Sequence, residues 1–167
     1  MNVFESIEER RSIRKYLDKP VEPEKLDKIL ETMRLAPSAG NRQKWLFIAV
    51  TDPAKREEIR QICNGQPAWI GEAPVILVPA GWDDDIMTCG HSVCTVDQMI
   101  AASYASLEAV ELGLGTCLIA SFHQEDVRKI LDLPEGYVIP IILTLGYAAE
   151  APDARPRKSA EEVEKII

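Results

Sequence analysis

Arg10, Arg11, Ser12 and Arg14 fall within five residues of the stretch ERRSIRKY, with Lys15 beside them. A guanidinium offers a planar fork of N–H donors that meets a phosphate with two parallel bonds, and a serine hydroxyl adds a short third one. Three such forks and a hydroxyl make a site that wants a phosphate. The same residues also suit a solvated helix end, where positive charge favours the C-terminal dipole, and spacing alone does not separate the two readings. A second basic group, Arg155, Arg157 and Lys158, follows a proline-broken stretch near the other end of the chain. The two groups either converge on one anion or remain separate surface patches.

The stretch APSAGNRQKW (36–45) is the second concentration of chemistry. A connector between a helix and a strand needs little more than Pro37 and Gly40, yet this one adds Ser38, Asn41, Arg42 and Gln43 immediately before the apolar run WLFIAV. Other groups carry less. GLG at 113–115 lacks the rest of a dinucleotide fingerprint and follows a helix where a strand is required. No serine elbow is present, and His91 and His123 are the only imidazoles for a hydrolytic triad. Cys89, His91 and Cys94 are close in sequence, but the paired knuckles of a structural zinc site are missing. They read as a mobile active-site loop with incidental or redox-active thiols, and no metal site is assigned. His123 reads as a cap or surface residue, and Trp82-Asp83-Asp84-Asp85 as a solvated loop whose tryptophan is a candidate pocket wall.

These groups must be positioned by elements that the apolar spacing reveals. Val3, Phe4 and Ile7 mark a short first helix. Leu26, Ile29, Leu30 and Met33 share one helical face over 24–35, which ends before Pro37. WLFIAV (45–50) reads as a buried strand, Asp52-Pro53 opens a helix to about 62, and PVILVPA (74–80) is a second buried strand. Thr95-x-x-Gln98 has the capping-box pattern and opens the longest helix, 96–112, buried most of the way round and stopped by Gly113 and Gly115. A third strand covers 116–121, a short helix 125–131, and a fourth strand region 137–147, in which Pro140 indicates an edge or a bulge. Ser159-x-x-Glu162 opens a last short helix. Alternating helices and strands around a buried helix give an α/β or α+β class.

The chain has 167 residues, 46% hydrophobic and 28% charged, which suits a single domain over 1–167. A formal net charge of −8 argues against nonspecific nucleic-acid binding. No apolar run approaches the roughly 18–20 residues of a membrane span. The N-terminus has no signal-peptide core, so the expected location is cytoplasmic, with Cys63, Cys89, Cys94 and Cys117 reduced.

Taken in order, RRSIRKY, APSAGNRQKWLFIAV, APVILV, VDQMIAASYASLEAVELGLGTCLIASF, LPEGYVIPIILTLGY and RPRKS resemble the FMN-dependent nitroreductase family over essentially the whole chain. The resemblance implies an α+β fold with a central mixed, largely antiparallel sheet surrounded by helices, and an intertwined homodimer with FMN at the interface. Carried over by position, Arg10, Ser12, Arg155 and Arg157 hold the FMN phosphate, with Arg11 along the same strip. Arg14 lies near the flavin N1–C2 edge and tunes the flavin. Ala120 and Ser121 approach N5 and O4. Pro37, Ser38 and Asn41 belong to a loop that reaches the partner's flavin, Gln43 helps position it, and Gln66 is a further contact.

The implied activity is ping-pong: NADH or NADPH reduces the flavin, which passes electrons to a small planar acceptor, a nitroaromatic or a quinone. No side chain need act as nucleophile. Relatives with reductive dehalogenation or flavin fragmentation, and a noncatalytic FMN-binding redox sensor using Cys89 and Cys94, are the alternatives. Two departures stand out: Lys44 occupies a position where the family commonly has proline, and 80–94 is short enough to form the whole lid over the substrate face.

Overall fold

The computed structural model describes residues 2–82 and 84–167. Asp83, part of the acidic stretch after Trp82, therefore lies outside the described residues. Four strands, β1 (Trp45–Val50), β2 (Val75–Gly81), β3 (Gly115–Ile119) and β4 (Ile142–Gly146), form a sheet in the order β1-β2-β4-β3. The three strand pairings are antiparallel. A parallel bridge from Ser12 to Thr116 supplies the mixed character that the resemblance implies.

Alternation along the central strands sorts their side chains to two faces. Val75, Leu77, Leu143 and Leu145 meet Ile29 and Met33 of α2 (Pro23–Arg34) and Ala101, Ala102, Ala105 and Ala109 of α5 (Val93–Glu111). The small alanines let α5 lie close against the sheet. On the opposite face, Ile76, Val78 and Ile142 meet Ile59 of α3 (Pro53–Ile62), Ile70 of α4 (Ala68–Glu72) and Val127 of α6 (Gln124–Ile130). The outcome is an α+β architecture with helices on both faces. The short α1 (Val3–Glu9) packs on α5, and α7 (Ala160–Val163) lies near the chain end.

Several elements differ from the sequence reading for identifiable reasons. WLFIAV forms β1, but β1 is an outer strand and its residues from Trp45 to Ala49 are only half-buried or exposed. Trp45, Phe47 and Ala49 pack against the core on one face and Ile48 and Val50 on the other, so a continuous apolar run did not mean a central position. The longest helix begins at Val93 rather than 96, because Ser92 is its cap: Ser92 Oγ accepts the Thr95 N–H at 3.0 Å. Thr95 is already inside, and Gln98 is fully buried rather than reaching back. The helix leaves Ser103, Tyr104 and Glu111 exposed. It ends in a Schellman pair, Leu114 N–H to the Ala109 carbonyl and Gly113 N–H to the Val110 carbonyl, with Gly113 at φ +73. Pro140 precedes β4, a central strand that starts only at Ile142. The five-residue α4 was not foreseen.

Candidate functional site

The basic strip is held by backbone pairing at the ends of β3 and β4. Asn2 and Glu5 close a capping box on α1, and the chain leaves α1 at Arg10 in extended form. Ile13 N–H then donates to the Thr116 carbonyl, Leu17 N–H to that of Tyr147, and Ala149 N–H to that of Lys15, each at 2.9 Å. Tyr16 turns inward, its hydroxyl 2.7 Å from Thr144 Oγ1 and 2.9 Å from the Ile13 carbonyl. Burial pushes this phenol well above its usual range, so it stays neutral. Close approach of the strip requires Gly115, where an added Cβ would lie 2.5 Å from Ile13 Cγ1.

This placement brings the two ends of the chain together. Arg10, Arg11, Ser12 and Arg14 line one cavity of about 600 Å³ with Arg155 and Arg157, and Phe4 and Ile7 add an apolar wall. Five guanidiniums face three carboxylates there, Glu8, Glu150 and Asp153, which leaves a formal charge of +2. Glu150 is partly committed already, since its Oε1 accepts the Arg14 N–H at 2.5 Å. Arg11 Nη1 donates to the Glu8 and Arg10 carbonyls, but its Nε is buried with no acceptor. The Arg14 guanidinium stands 5.9 Å from the ring centre of Trp69 on α4. Cys117 lies under the strip. Burial raises its thiol pKa, opposed by Arg14, Ser12 and Arg10.

Ala120 and Ser121 follow the other end of β3, four residues beyond Thr116, or about 13 Å at strand rise. The basic strip and this exposed pair therefore bracket a single outer strand. The turn after α3 closes onto it: Asn64 N–H donates to the Ser121 carbonyl at 2.9 Å, and Asn64 Nδ2 to Ser121 Oγ at 3.0 Å. Gln66 is nearby in sequence, but its side-chain amide is tied back to the Gln61 carbonyl at 3.1 Å. Asn64 thus holds the strand end, whereas Gln66 is the residue that the resemblance assigns to the flavin.

Pro37, Ser38, Asn41 and Gln43 do not line the basic cavity. Ser38 precedes a 3-10 turn, Ala39–Asn41, in which Gly40 and Asn41 have φ +59 and +54, and Gln43 follows at +51. The polar groups bond one another: Gln43 N–H donates to Ser38 Oγ at 3.1 Å, and Gln43 Nε2 to Asn41 Oδ1 at 3.2 Å. Sequence reasoning missed the residue beneath them, Asp97 on α5, whose carboxylate accepts the Ala39 N–H. A lone acid in an otherwise apolar helical stretch was the available signal.

Residues 86–92, ahead of α5, form a small hairpin, with Met87 N–H donating to the His91 carbonyl at 2.8 Å and an Ile86–Ser92 bridge. Asp84 and Asp85 do more than face solvent. Asp84 accepts from Ser92 Oγ and from the Cys94 N–H, and Asp85 pairs with Arg42 at 2.6 Å. Trp82 packs against Tyr137, ring centres 5.7 Å apart. Cys94 is buried, and burial followed by Asp84 pushes its thiol up to about 12. Cys89 is exposed. His123 occupies the cap position of α6, exposed and with no side-chain cap bond.

Comparison with known proteins sets this geometry in context. The profile of the Nitroreductase family matches residues 7–147. The chain is 34% identical to FMN reductase [NAD(P)H] of Bacillus subtilis, with 96% of this chain and 72% of that protein covered. It is 30% identical to the oxygen-insensitive NADPH nitroreductase of Salmonella typhimurium, over 92% of this chain and 68% of the relative. The solved structure of an FMN-dependent nitroreductase from Clostridium difficile superposes with a TM-score of 0.83 at 34% identity, covering 96% of each chain.

Proposed function

The chain belongs to the nitroreductase family, and from that premise we propose that it is an NAD(P)H-dependent FMN oxidoreductase, a single domain over 1–167 acting as a homodimer. The observation that carries this reading is the cavity where the chain ends meet. Its surplus charge of +2 matches a phosphate monoester, which bears about −1.5 to −2 near neutral pH. The buried Arg11 Nε supplies a donor that still wants an acceptor. FMN carries such a phosphate, so the residues present fit the group.

When bound, FMN supplies the redox chemistry, accepting a hydride from NADH or NADPH and passing electrons to a small planar acceptor such as a nitroaromatic or quinone. The chain's own residues hold and orient it. Arg10, Arg11, Ser12, Arg155 and Arg157 grip the phosphate. Arg14, the arginine carried over to the flavin N1–C2 edge, sets a fixed positive charge at the ring end. Ala120 and Ser121 present backbone to the flavin polar edge at the far end of the same strand. Pro37, Ser38, Asn41 and Gln43 serve the partner's flavin, in keeping with their position outside the basic cavity. Gln66 is the outlying member of the set.

Dimerisation is supported by apolar groups in solvent: Phe4 is 66% exposed, and Ile166 and Ile167 fully so. No helix among the described residues is long and apolar enough to cross a membrane. Four free thiols suit a reducing, cytoplasmic setting. A sensing role through Cys89 and Cys94 is disfavoured by the burial and raised pKa of Cys94.

The test is a visible spectrum of protein incubated with FMN and desalted, then treated anaerobically with NADH and with NADPH. Retained flavin that bleaches supports the proposal. Retained flavin that does not bleach refutes the nicotinamide donor, and no retained flavin refutes the cofactor. Light scattering after gel filtration tests the dimer.

A further inference from the structure

Asp97 is 6% exposed within α5, among Cys94, Gln98, Ala101 and other buried residues. Removing a carboxylate from water is costly unless its oxygens find donors. Here both oxygens take the Ala39 N–H, at 3.0 and 3.2 Å. Ala39 opens the turn of the polar loop. That turn is intrinsically disfavoured, because Asn41 and Gln43 carry side chains in left-handed backbone, at φ +54 and +51. The bonds among Ser38, Asn41 and Gln43 tie the loop to itself. Arg42 ties it to Asp85, a pair whose side chains are 43% and 61% exposed and therefore weakly held. Asp97 instead reaches the loop from the core.

We propose that Asp97 is a positioning residue whose buried carboxylate grips the Ala39 N–H and fixes the turn at 38–43 in its flavin-binding shape. This rests on the reading above that the loop contacts the flavin of the partner subunit. A carboxylate suits the task, since both of its oxygens take the one N–H. The donor can also be removed. Ser38 has φ −134 and ψ 155, a conformation well suited to precede proline, and Ala39 is the first residue of the turn. Ala39→Pro deletes the N–H but sets its ring Cδ against the Asp97 carboxylate, so it is also made beside Asp97→Ala, which clears that space.

The experiment compares the wild type, Asp97→Ala, Ala39→Pro, their double variant and an Arg155→Ala/Arg157→Ala control. FMN affinity is read by flavin fluorescence, the shape of the bound flavin's visible band by absorption, and flavin-free stability by thermal melting. Each single change at 97 or 39 is expected to weaken FMN binding roughly tenfold and to alter the visible band. The double variant is expected to bind no more weakly than the weaker single one, because both act through the same bond. Unchanged affinity and band shape in both singles, even with a lowered melting temperature, overturn the proposal, as do losses that multiply in the double variant. If the arginine control weakens FMN binding while the variants at 97 and 39 do not, the positioning role alone falls. If the wild type retains no FMN, or the arginine control binds as the wild type does, the underlying reading falls and this one with it.

Discussion

In the basic cavity, residues from the two ends of the chain meet with positive charge in surplus and with Arg11 Nε lacking an acceptor. The polar loop at 38–43 is arranged the other way: its groups bond one another, and its backbone is held by Asp97. One region is left incomplete by the protein's own atoms, the other is nearly satisfied by them. Surplus charge gathered from both ends of the chain suits a ligand held within one chain. A self-satisfied loop with two strained residues suits a part shaped in advance for something outside it.

Removing charge from the cavity should break the comparison most severely. Arg155→Ala together with Arg157→Ala is expected to lower FMN affinity about 100-fold or more, at ~1.5–3 kcal/mol per charged hydrogen-bonding group, read by fluorescence titration. Gly115→Ala attacks the scaffold instead. Its Cβ would collide with Ile13, so unfolding in urea should show a loss of about 1–3 kcal/mol, accompanied by weaker FMN binding as the strip shifts. A stability unchanged within error would mean that Ile13 does not fix the strip.

Titration sharpens the contrast. A phosphate monoester takes up its second proton near pH 6, so FMN affinity should decline several-fold as pH falls from about 7 to about 5. The fold should persist through that window. Its own acid sensitivity lies lower, where Glu22, bonded by the Tyr147 hydroxyl, and Glu57, bonded by Arg60, are each held down to about 2. Depressed carboxylate values add stability above the ordinary range near 4.5 and lose it as pH falls from there to about 2. Melting temperatures across both windows would separate the two effects. Ser38→Ala is the smallest change. It deletes the acceptor for the Gln43 N–H and should cost within about 1 kcal/mol, with FMN affinity shifting less than about tenfold.

The helix periodicity of α2 and the proline and aspartate that open α3 were legible because each is a local pattern. The start of α5 was not, since Ser92 and Thr95 are both competent caps and only tertiary packing decides which is used. The five residues of α4 are too few to show a period. The basic groups at 10–14 and 155–157 were legible as chemistry, but their meeting depends on pairing of Ile13 and Leu17 with strands more than 100 positions away. Asp97 was missed because a carboxylate in a helix ordinarily marks the wet side, and nothing local indicates that a distant backbone N–H awaits it.

The cavity draws its donors from residues 10–14 and 155–157, while the last strand of the sheet ends at Gly146. Truncation after residue 150 would therefore spare the sheet, its covering helices and Arg10, Arg11, Ser12 and Arg14, yet remove Arg155 and Arg157 from the cavity. On the proposed reading of that cavity, such a product would keep its hydrophobic core yet forfeit tight retention of flavin, so the visible colour of a preparation would report whether residues 151–157 are intact.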